Sequence, residues 1–391
     1  MVARTNRTAR SADVLPGPIA LVARPGSSHT GVGRYSQMLE GGLLAAGVQA
    51  IRIAPGGPAL PAGMVRLARA AGADLSSFFA TYPLWLRETG AAIAHLTSQN
   101  LASLLLLRRP RGRVVVTVHD IIPHMLRKHP TLGGQRSVAD RLFDRMAMIG
   151  LRRADVLLAD SHYSARCVVE QLGIAAARIR VIYLGIDHAR FRPQPESTAI
   201  RARYRLPPDR RYLLYVGSED PRKNLAPLLH ALAELRREHP EVELIKVGRA
   251  HFEPERQRLL QLADDLGIRP AIHLLDDLPE HDLPSIYSLA EIYVMPSLYE
   301  GFGLPVLEAM ACGTPVVCAA ATSLPELVQD AGLLVEMAGD GRGPLQQALE
   351  HMLAHPASAA TLRARGLARA AHFSWERTIE HVIQSYRQPE L

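Results

Sequence analysis

Short apolar, often β-branched runs alternate with helical segments twice along this chain, and a proline-rich stretch separates the two series. In the first series Ile19–Ala23, Val48–Ile53, Ile93–Leu96, Val114–Val118, Val156–Ala159 and Ile179–Ile182 read as strands. Helical patterns run over Tyr35–Ala46, closed by Gly47, and over Ser164–Leu172. Val114, Val115 and Val116 form the unbroken run expected of a parallel strand covered on both faces. Residues 192–209 break the pattern with Pro193, Pro195, Pro207 and Pro208. The second series has strands at Tyr212–Val216, Glu243–Val247, Ile272–Leu275, Ile292–Met295 and Val316–Cys318. Its helices are Leu225–Glu238, Pro254–Leu266, Pro305–Ala311 and a final amphipathic stretch, Trp375–Tyr386. Strands that alternate with helices imply a doubly wound parallel sheet. A single core rarely grows beyond roughly 250–300 residues. The expected fold class is therefore α/β, with two Rossmann-like parallel-sheet domains facing across a cleft. The expected division is an N-terminal arm over 1–16, a first domain over 17–195, a linker over 196–210, a second domain over 211–372 and a closing segment over 373–391.

Composition narrows the class of activity. The three cysteines, Cys167, Cys312 and Cys318, form no C-x-x-C pair, so a reducing compartment is the expectation. Arg4, Arg7 and Arg10 precede no apolar run, which argues against a secretory leader, and no stretch approaches roughly 18 unbroken apolar residues. The expected location is the cytoplasm, with contact at the inner face of a membrane left open. Charge is uneven: residues 1–200 hold 25 Lys and Arg against 12 Asp and Glu. The remainder holds 20 against 26. Such asymmetry fits either a first half that meets an anionic surface or a plain arginine-rich solvated face. With 5% aromatic residues and no binding motif, nucleic acid is not an expected partner. The oligomeric state is not legible.

Open parallel sheets bind ligands beyond the carboxyl ends of their strands. Four loops there carry chemistry. After Ile292–Met295 comes Pro296-Ser297-Leu298-Tyr299-Glu300-Gly301-Phe302-Gly303-Leu304-Pro305, then a helix that contains Glu308. Gly301 and Gly303 admit close backbone approach to a ligand. Pro305 suits a first helical position, which would leave the N–H groups from Gly303 to Val306 free for a phosphate or sugar hydroxyls. Glu308 can accept from a cis-diol such as a ribose. After Tyr212–Val216 comes Gly217-Ser218-Glu219-Asp220-Pro221-Arg222-Lys223-Asn224, a glycine turn with two cations suited to a diphosphate. Gly31-Val32-Gly33-Arg34-Tyr35 reads as a glycine-rich loop that leads into a helix, and His119-Asp120 closes the Val114–Val118 strand.

Glu300 and Glu308 have seven residues between them, and the phrase around them resembles the E-x7-E motif of the retaining glycosyltransferase family 4, which has the GT-B fold. Pro221-Arg222-Lys223-Asn224 and Val116-Thr117-Val118-His119-Asp120 are also similar to that family's wording. The closest wording is that of bacterial O-antigen and polysaccharide mannosyltransferases. The resemblance covers nearly the whole chain and is densest from Tyr212 to Asp330. It implies a final helix that crosses back to the first domain. The implied donor-binding set is Gly217, Ser218, Arg222, Lys223, Leu278, Glu300, Gly301, Phe302, Gly303, Leu304 and Glu308. Ser218 stands where some members carry arginine, and Leu278 ends a segment similar to the one that holds the nucleotide base. Gly31, Gly33, Arg34, His119 and Asp120 are implied on the acceptor side. The groups implied in catalysis are His119, Glu300, Lys223 and Arg222.

The function so implied is metal-independent transfer of a hexose, with retention, from a nucleotide-diphosphate sugar to a lipid-linked oligosaccharide or polysaccharide of the cell surface. GDP-mannose is the implied donor. No D-x-D triplet occurs, so no metal or other cofactor is expected, and the leaving diphosphate must be met by Arg222, Lys223 and helix N-terminal amides. Front-face attack and a covalent intermediate both remain open. So do two alternatives: a nucleotide-sugar 2-epimerase-like enzyme, and a non-catalytic protein that binds nucleotide sugars.

Overall fold

The computed structural model describes residues 15, 17–24, 31–57, 61–70, 78–79, 81–87, 90–129, 131–132, 137–250, 253–337 and 341–387. Among them, twelve strands form two six-stranded sheets. The first contains β1 (Ile19–Val22), β2 (Ala50–Ile53), β3 (Ile93–Leu96), β4 (Arg113–Val118), β5 (Val156–Ala159) and β6 (Ile179–Val181), in the order β2-β1-β3-β4-β5-β6. The second contains β7 (Arg211–Val216), β8 (Val242–Val247), β9 (Ile272–Leu275), β10 (Ile292–Met295), β11 (Val316–Ala319) and β12 (Leu333–Val335), in the order β12-β11-β10-β7-β8-β9. All the pairings are parallel. The central strands are buried throughout, as their unbroken apolar runs require.

This topology positions a site. Strand order reverses between β1 and β3 in the first sheet and between β7 and β10 in the second, and a crevice opens where the crossovers diverge. The loops after β7 and β10 carry the Arg222-Lys223 and Glu300 phrases. The helix that follows β1 carries Arg34, and the loops after β3 and β4 carry Thr97 and His119.

Several elements depart from the sequence reading. The first helix begins at Gly31, so Gly33 lies inside its first turn rather than in a loop before it. The proline-rich stretch holds a helix, Thr198–Tyr204, capped by Ser197 and closed by Arg205 in the left-handed region. Arg222 and Lys223 sit in a 3-10 turn, Pro221–Lys223, ahead of the helix Ala226–Glu238. Strand β12 and the helices Val138–Leu151, Arg342–Ala354 and Pro356–Ala370 go beyond the elements read from sequence. The expected N-terminal arm lies outside the described residues, apart from Leu15. No helix among the described residues is long and apolar enough to cross a membrane.

The last helix, Trp375–Arg387, returns to the first half, as the resemblance implies. It packs on Gly31–Ala45 so closely that a Cβ on Gly42 would fall 2.4 Å from Ile379. Tyr386 hydroxyl meets His95 Nδ1 at 2.6 Å, and His95 Nε2 meets Thr117 Oγ1 at 2.8 Å. Burial, with His119 nearby, pulls the His95 imidazole down to about 3, so it is a neutral bracket. Thr378 Oγ1 donates to Tyr183 carbonyl at 2.8 Å.

Candidate active site

Strands β7 and β10 lie side by side at the switch point, so the loops that follow them interlock. Leu298 N–H donates to Arg222 carbonyl at 2.9 Å, and Arg222 Nη1 donates to Tyr299 carbonyl at 2.8 Å. Lys223 Nζ donates to Glu300 Oε1 at 2.6 Å, while Arg222 Nη1 lies 3.8 Å from Glu300 Oε2. Asp220 caps the turn by accepting from Arg222 N–H, and Asn224 at φ +55° ends it. Burial alone would raise the Glu300 carboxyl, but Lys223 and Arg222 outweigh it and hold it below the usual carboxylate range. Burial pulls the Arg222 guanidinium down, and Glu300, Asp120 and Asp220 more than reverse that. Arg222 thus lies between Glu300 at 3.8 Å and Asp220 at 3.6 Å, while Lys223 pairs with Glu300. Gly217, at φ +153°, ends β7 where a Cβ would meet the Tyr215 hydroxyl at 2.7 Å, and Ser218 carbonyl accepts from that hydroxyl.

The helix Leu304–Ala311 starts from Gly303 at φ +107°, a conformation that favours glycine. Its free donors are fewer than the sequence suggests. Val306 N–H already bonds to Gly303 carbonyl at 3.0 Å, and Pro305 has no N–H, so Gly303 and Leu304 supply the open end. Phe302 also departs from its expected donor-side role. Its ring is buried among Tyr183 and Phe373, at centroid distances of 6.0 and 6.1 Å, because it closes the core under the loop. Leu278 is half-buried against the same core. Glu308 is buried with both oxygens engaged: Oε2 accepts from Tyr287 hydroxyl at 2.8 Å, and Oε1 accepts from Arg34 Nη1. Arg34, expected on the acceptor side, thus reaches across to the second half, where Glu280 also lies 3.7 Å away. A ribose at Glu308 has to share it with Arg34 or displace it.

On the facing wall, β4 and β5 pair with Val118 opposite Ala159, so the residues that follow them, His119 and Asp160, stand side by side. His119 Nδ1 meets Asp160 Oδ2 at 2.6 Å, and His119 Nε2 meets Thr97 carbonyl at 3.0 Å. Both ring nitrogens lie within hydrogen-bond distance of an oxygen acceptor, Asp160 on one side and the Thr97 carbonyl on the other. Burial works against a positive charge on the ring, but Asp160 and the Thr97 carbonyl outweigh it and push the His119 imidazole above its ordinary range. A general base needs a free lone pair, which this arrangement does not present. Tyr35 stacks edge-on at 4.9 Å. Asp120 Oδ1 accepts from Ile122 N–H at 3.0 Å, which fixes the turn after β4.

The two walls touch at the Glu300 loop. A Cβ on Gly301 would fall 2.3 Å from His119 carbonyl, so no other residue permits this approach. Ser161 Oγ donates to Gly301 carbonyl at 2.7 Å. Glu326 Oε2 and Oε1 accept from the N–H groups of His162 and Tyr163 at 2.9 and 3.0 Å, at the N-terminus of the helix His162–Leu172. Thr322 Oγ1 accepts from Glu300 N–H at 3.0 Å. The roles of Asp160, Tyr287, Thr322 and Glu326 were not read from sequence. A signal existed for Asp160, a carboxylate one residue beyond a strand that neighbours the His119 strand. Glu326 lies in a five-residue helix, Leu324–Val328, with no local pattern to mark it.

Comparison with known proteins agrees with this geometry. Residues 196–342 match the family model described as glycosyl transferases group 1, and residues 29–190 match glycosyltransferase family 4. The O-antigen chain mannosyltransferase B of Escherichia coli is 33% identical over 280 residues, which span 70% of each chain. The serotype-specific mannosyltransferase WbdA of Escherichia coli is 33% identical over 289 residues, 70% of this chain, and the chain spans about a third of that relative's length. Among solved structures, sucrose-phosphate synthase from Thermosynechococcus elongatus superposes with a TM-score of 0.74 at 25% identity, covering 95% of this chain and 98% of that one. The chain is a GT-B protein of the group 1, family 4 glycosyltransferases.

Proposed function

We propose that this chain transfers mannose from GDP-mannose, with retention and without a metal, to a lipid-linked oligosaccharide or polysaccharide acceptor in cell-surface glycan synthesis. The observation that carries the reading is the pair Arg222 and Lys223, locked by Glu300 and Tyr299 at the switch point of the second sheet. A leaving nucleoside diphosphate gains negative charge as the glycosidic bond breaks. Fixed guanidinium and ammonium groups stabilise that charge without reorganising. Glu300, ionised and pinned, orients hydroxyls of the donor sugar, and Glu308 receives the ribose. His119, paired with Asp160, positions the transferred group from the facing wall. The mannosyl donor is favoured by the named activities of the two Escherichia coli relatives. The acceptor's lipid places the enzyme at the inner face of the membrane, peripheral to it.

The test is a panel of GDP-, UDP-, TDP- and ADP-sugars, assayed for release of free nucleoside diphosphate with and without membrane extract. Release of GDP from GDP-mannose, stimulated by extract, is expected. Turnover of a UDP-sugar alone contradicts the donor assignment. Interconversion of the sugar without nucleotide release contradicts the transferase reading.

A further inference from the structure

Every large apolar side chain that is exposed among the described residues lies before residue 150. Three of them share one helix, Val138–Leu151: Val138 is 75%, Leu142 54% and Ile149 46% exposed. Arg141, Arg145 and Arg152 are exposed with them. Positions 138, 141, 142, 145, 149 and 152 recur at steps of three and four, with one single-residue step, so they form one face on which aliphatic and guanidinium groups alternate. The opposite face, with Ala147, Met148, Gly150 and Leu151, is buried. There a Cβ on Gly150 would fall 1.9 Å from Ala102 carbonyl, so the helix is fixed tightly to the body. Its acids turn away from the exposed face. Asp140 completes the capping box with Ser137 and accepts from Tyr82 hydroxyl at 2.5 Å, and Asp144 is half-buried 3.8 Å from His124.

Folding explains the buried stripe but not the exposed one. A helix face that meets only water is polar; aliphatic groups set among arginines suit the boundary between acyl chains and anionic head groups. Further cationic side chains stand on elements beside the helix. Arg127 and Lys128 are exposed on the turn that follows His119, Asp120 and the short helix Ile122–Met125. At the other end Arg152 borders a recess of about 330 Å³ shared with Arg109, Arg153, Arg178 and Arg180, with Asp155 the single carboxylate in its lining.

We propose that the exposed face of Val138–Leu151 seats the chain on an anionic lipid bilayer, with Val138, Leu142 and Ile149 inserted and Arg141, Arg145 and Arg152 on the lipid phosphates. The purpose of this contact rests on the lipid-linked acceptor proposed above; the contact itself does not. In this pose the wall that bears His119 and Asp120 lies next to the surface from which such an acceptor projects.

The test is co-sedimentation of the full chain with vesicles of equal parts phosphatidylglycerol and phosphatidylcholine, and with phosphatidylcholine alone. Binding is expected on the anionic vesicles only. Arg141→Gln and Arg145→Gln are each expected to weaken it about fivefold. Leu142→Ser with Ile149→Ser is expected to weaken it by more than about tenfold. All variants should keep the wild-type unfolding midpoint and donor turnover in solution. Equal binding to both vesicle types, unchanged binding by these variants, or a dimer that Leu142→Ser dissociates overturns the proposal, the last because a second copy then covers the face. Absent vesicle binding with intact donor turnover defeats the docking surface alone. Vesicle binding without donor turnover defeats the transferase reading alone.

Discussion

The two walls of the cleft are built on opposite electrostatic plans. On the second-half wall, Arg222 and Lys223 share Glu300, Arg222 also has Asp220 at 3.6 Å, and both cations stand at the strand ends. On the first-half wall, His119 and Asp160 form a closed pair, with the second imidazole nitrogen also engaged by Thr97 carbonyl. The first arrangement is ready to receive an anion. The second has no unmet demand and acts as a stiff abutment, against which Gly301 rests. In the proposed reaction this difference gives leaving-group stabilisation to one wall and positioning to the other.

Breaking the charged wall should have the largest effect. Lys223→Ala is expected to lower turnover by roughly 10²–10³, the loss typical of one preorganised electrostatic donor, as read from nucleoside diphosphate release. It also leaves Glu300 buried with Arg222 at 3.8 Å as its remaining partner, so a stability loss approaching about 3–5 kcal/mol is expected in denaturant titration. Lys223→Ala with Glu300→Gln should recover much of that stability and none of the turnover. Next comes the contact between the walls. Gly301→Ala drives a methyl group into His119 carbonyl, and a misplacement of this size lowers turnover by about 10²-fold, with a larger radius of gyration in X-ray scattering.

A smaller effect is expected from Glu326→Ala. It removes two hydrogen bonds to a helix N-terminus across the walls, a loss of about 1–3 kcal/mol that should appear as a raised KM with a modest change in kcat. The smallest effect concerns pH and isolates the abutment. The folded His119 imidazole is raised above its ordinary 6.5, so its stabilising contribution is complete below that value and is lost as pH rises through the folded value. Unfolding midpoints should therefore fall as pH rises above 6.5. Asp160→Asn should flatten that slope, and an unchanged slope in the variant contradicts the pairing.

The same contrast explains what could be read in advance. Strands β3, β5 and β10 fall on the residues expected of them, because fully buried parallel strands write continuous apolar runs. The Lys223 and Glu300 loops were legible because each is one contiguous phrase that follows such a strand. The first-half wall draws Thr97, His119 and Asp160 from three different strands, so their meeting depends on sheet order and register, which local pattern does not encode. The packing of the Phe302 ring against Tyr183 and Phe373 is not legible in sequence, because a loop aromatic looks alike whether it faces a ligand or closes a core. Arg34 stands on the first-half helix, and its reach to Glu308, 274 residues away in sequence, is not encoded in local pattern. Helices such as Pro356–Ala370, rich in alanine and arginine, lack the apolar period that marks a buried face.

The most direct test of the fixed-cation wall is release of GDP from GDP-mannose by the wild type and Lys223→Ala, each with and without EDTA. The account predicts wild-type turnover that EDTA leaves unchanged, and a Lys223→Ala variant at least about a hundredfold slower that added magnesium or manganese does not rescue. Wild-type turnover that stops in EDTA and returns with metal, or a Lys223→Ala variant that turns over normally, would contradict it.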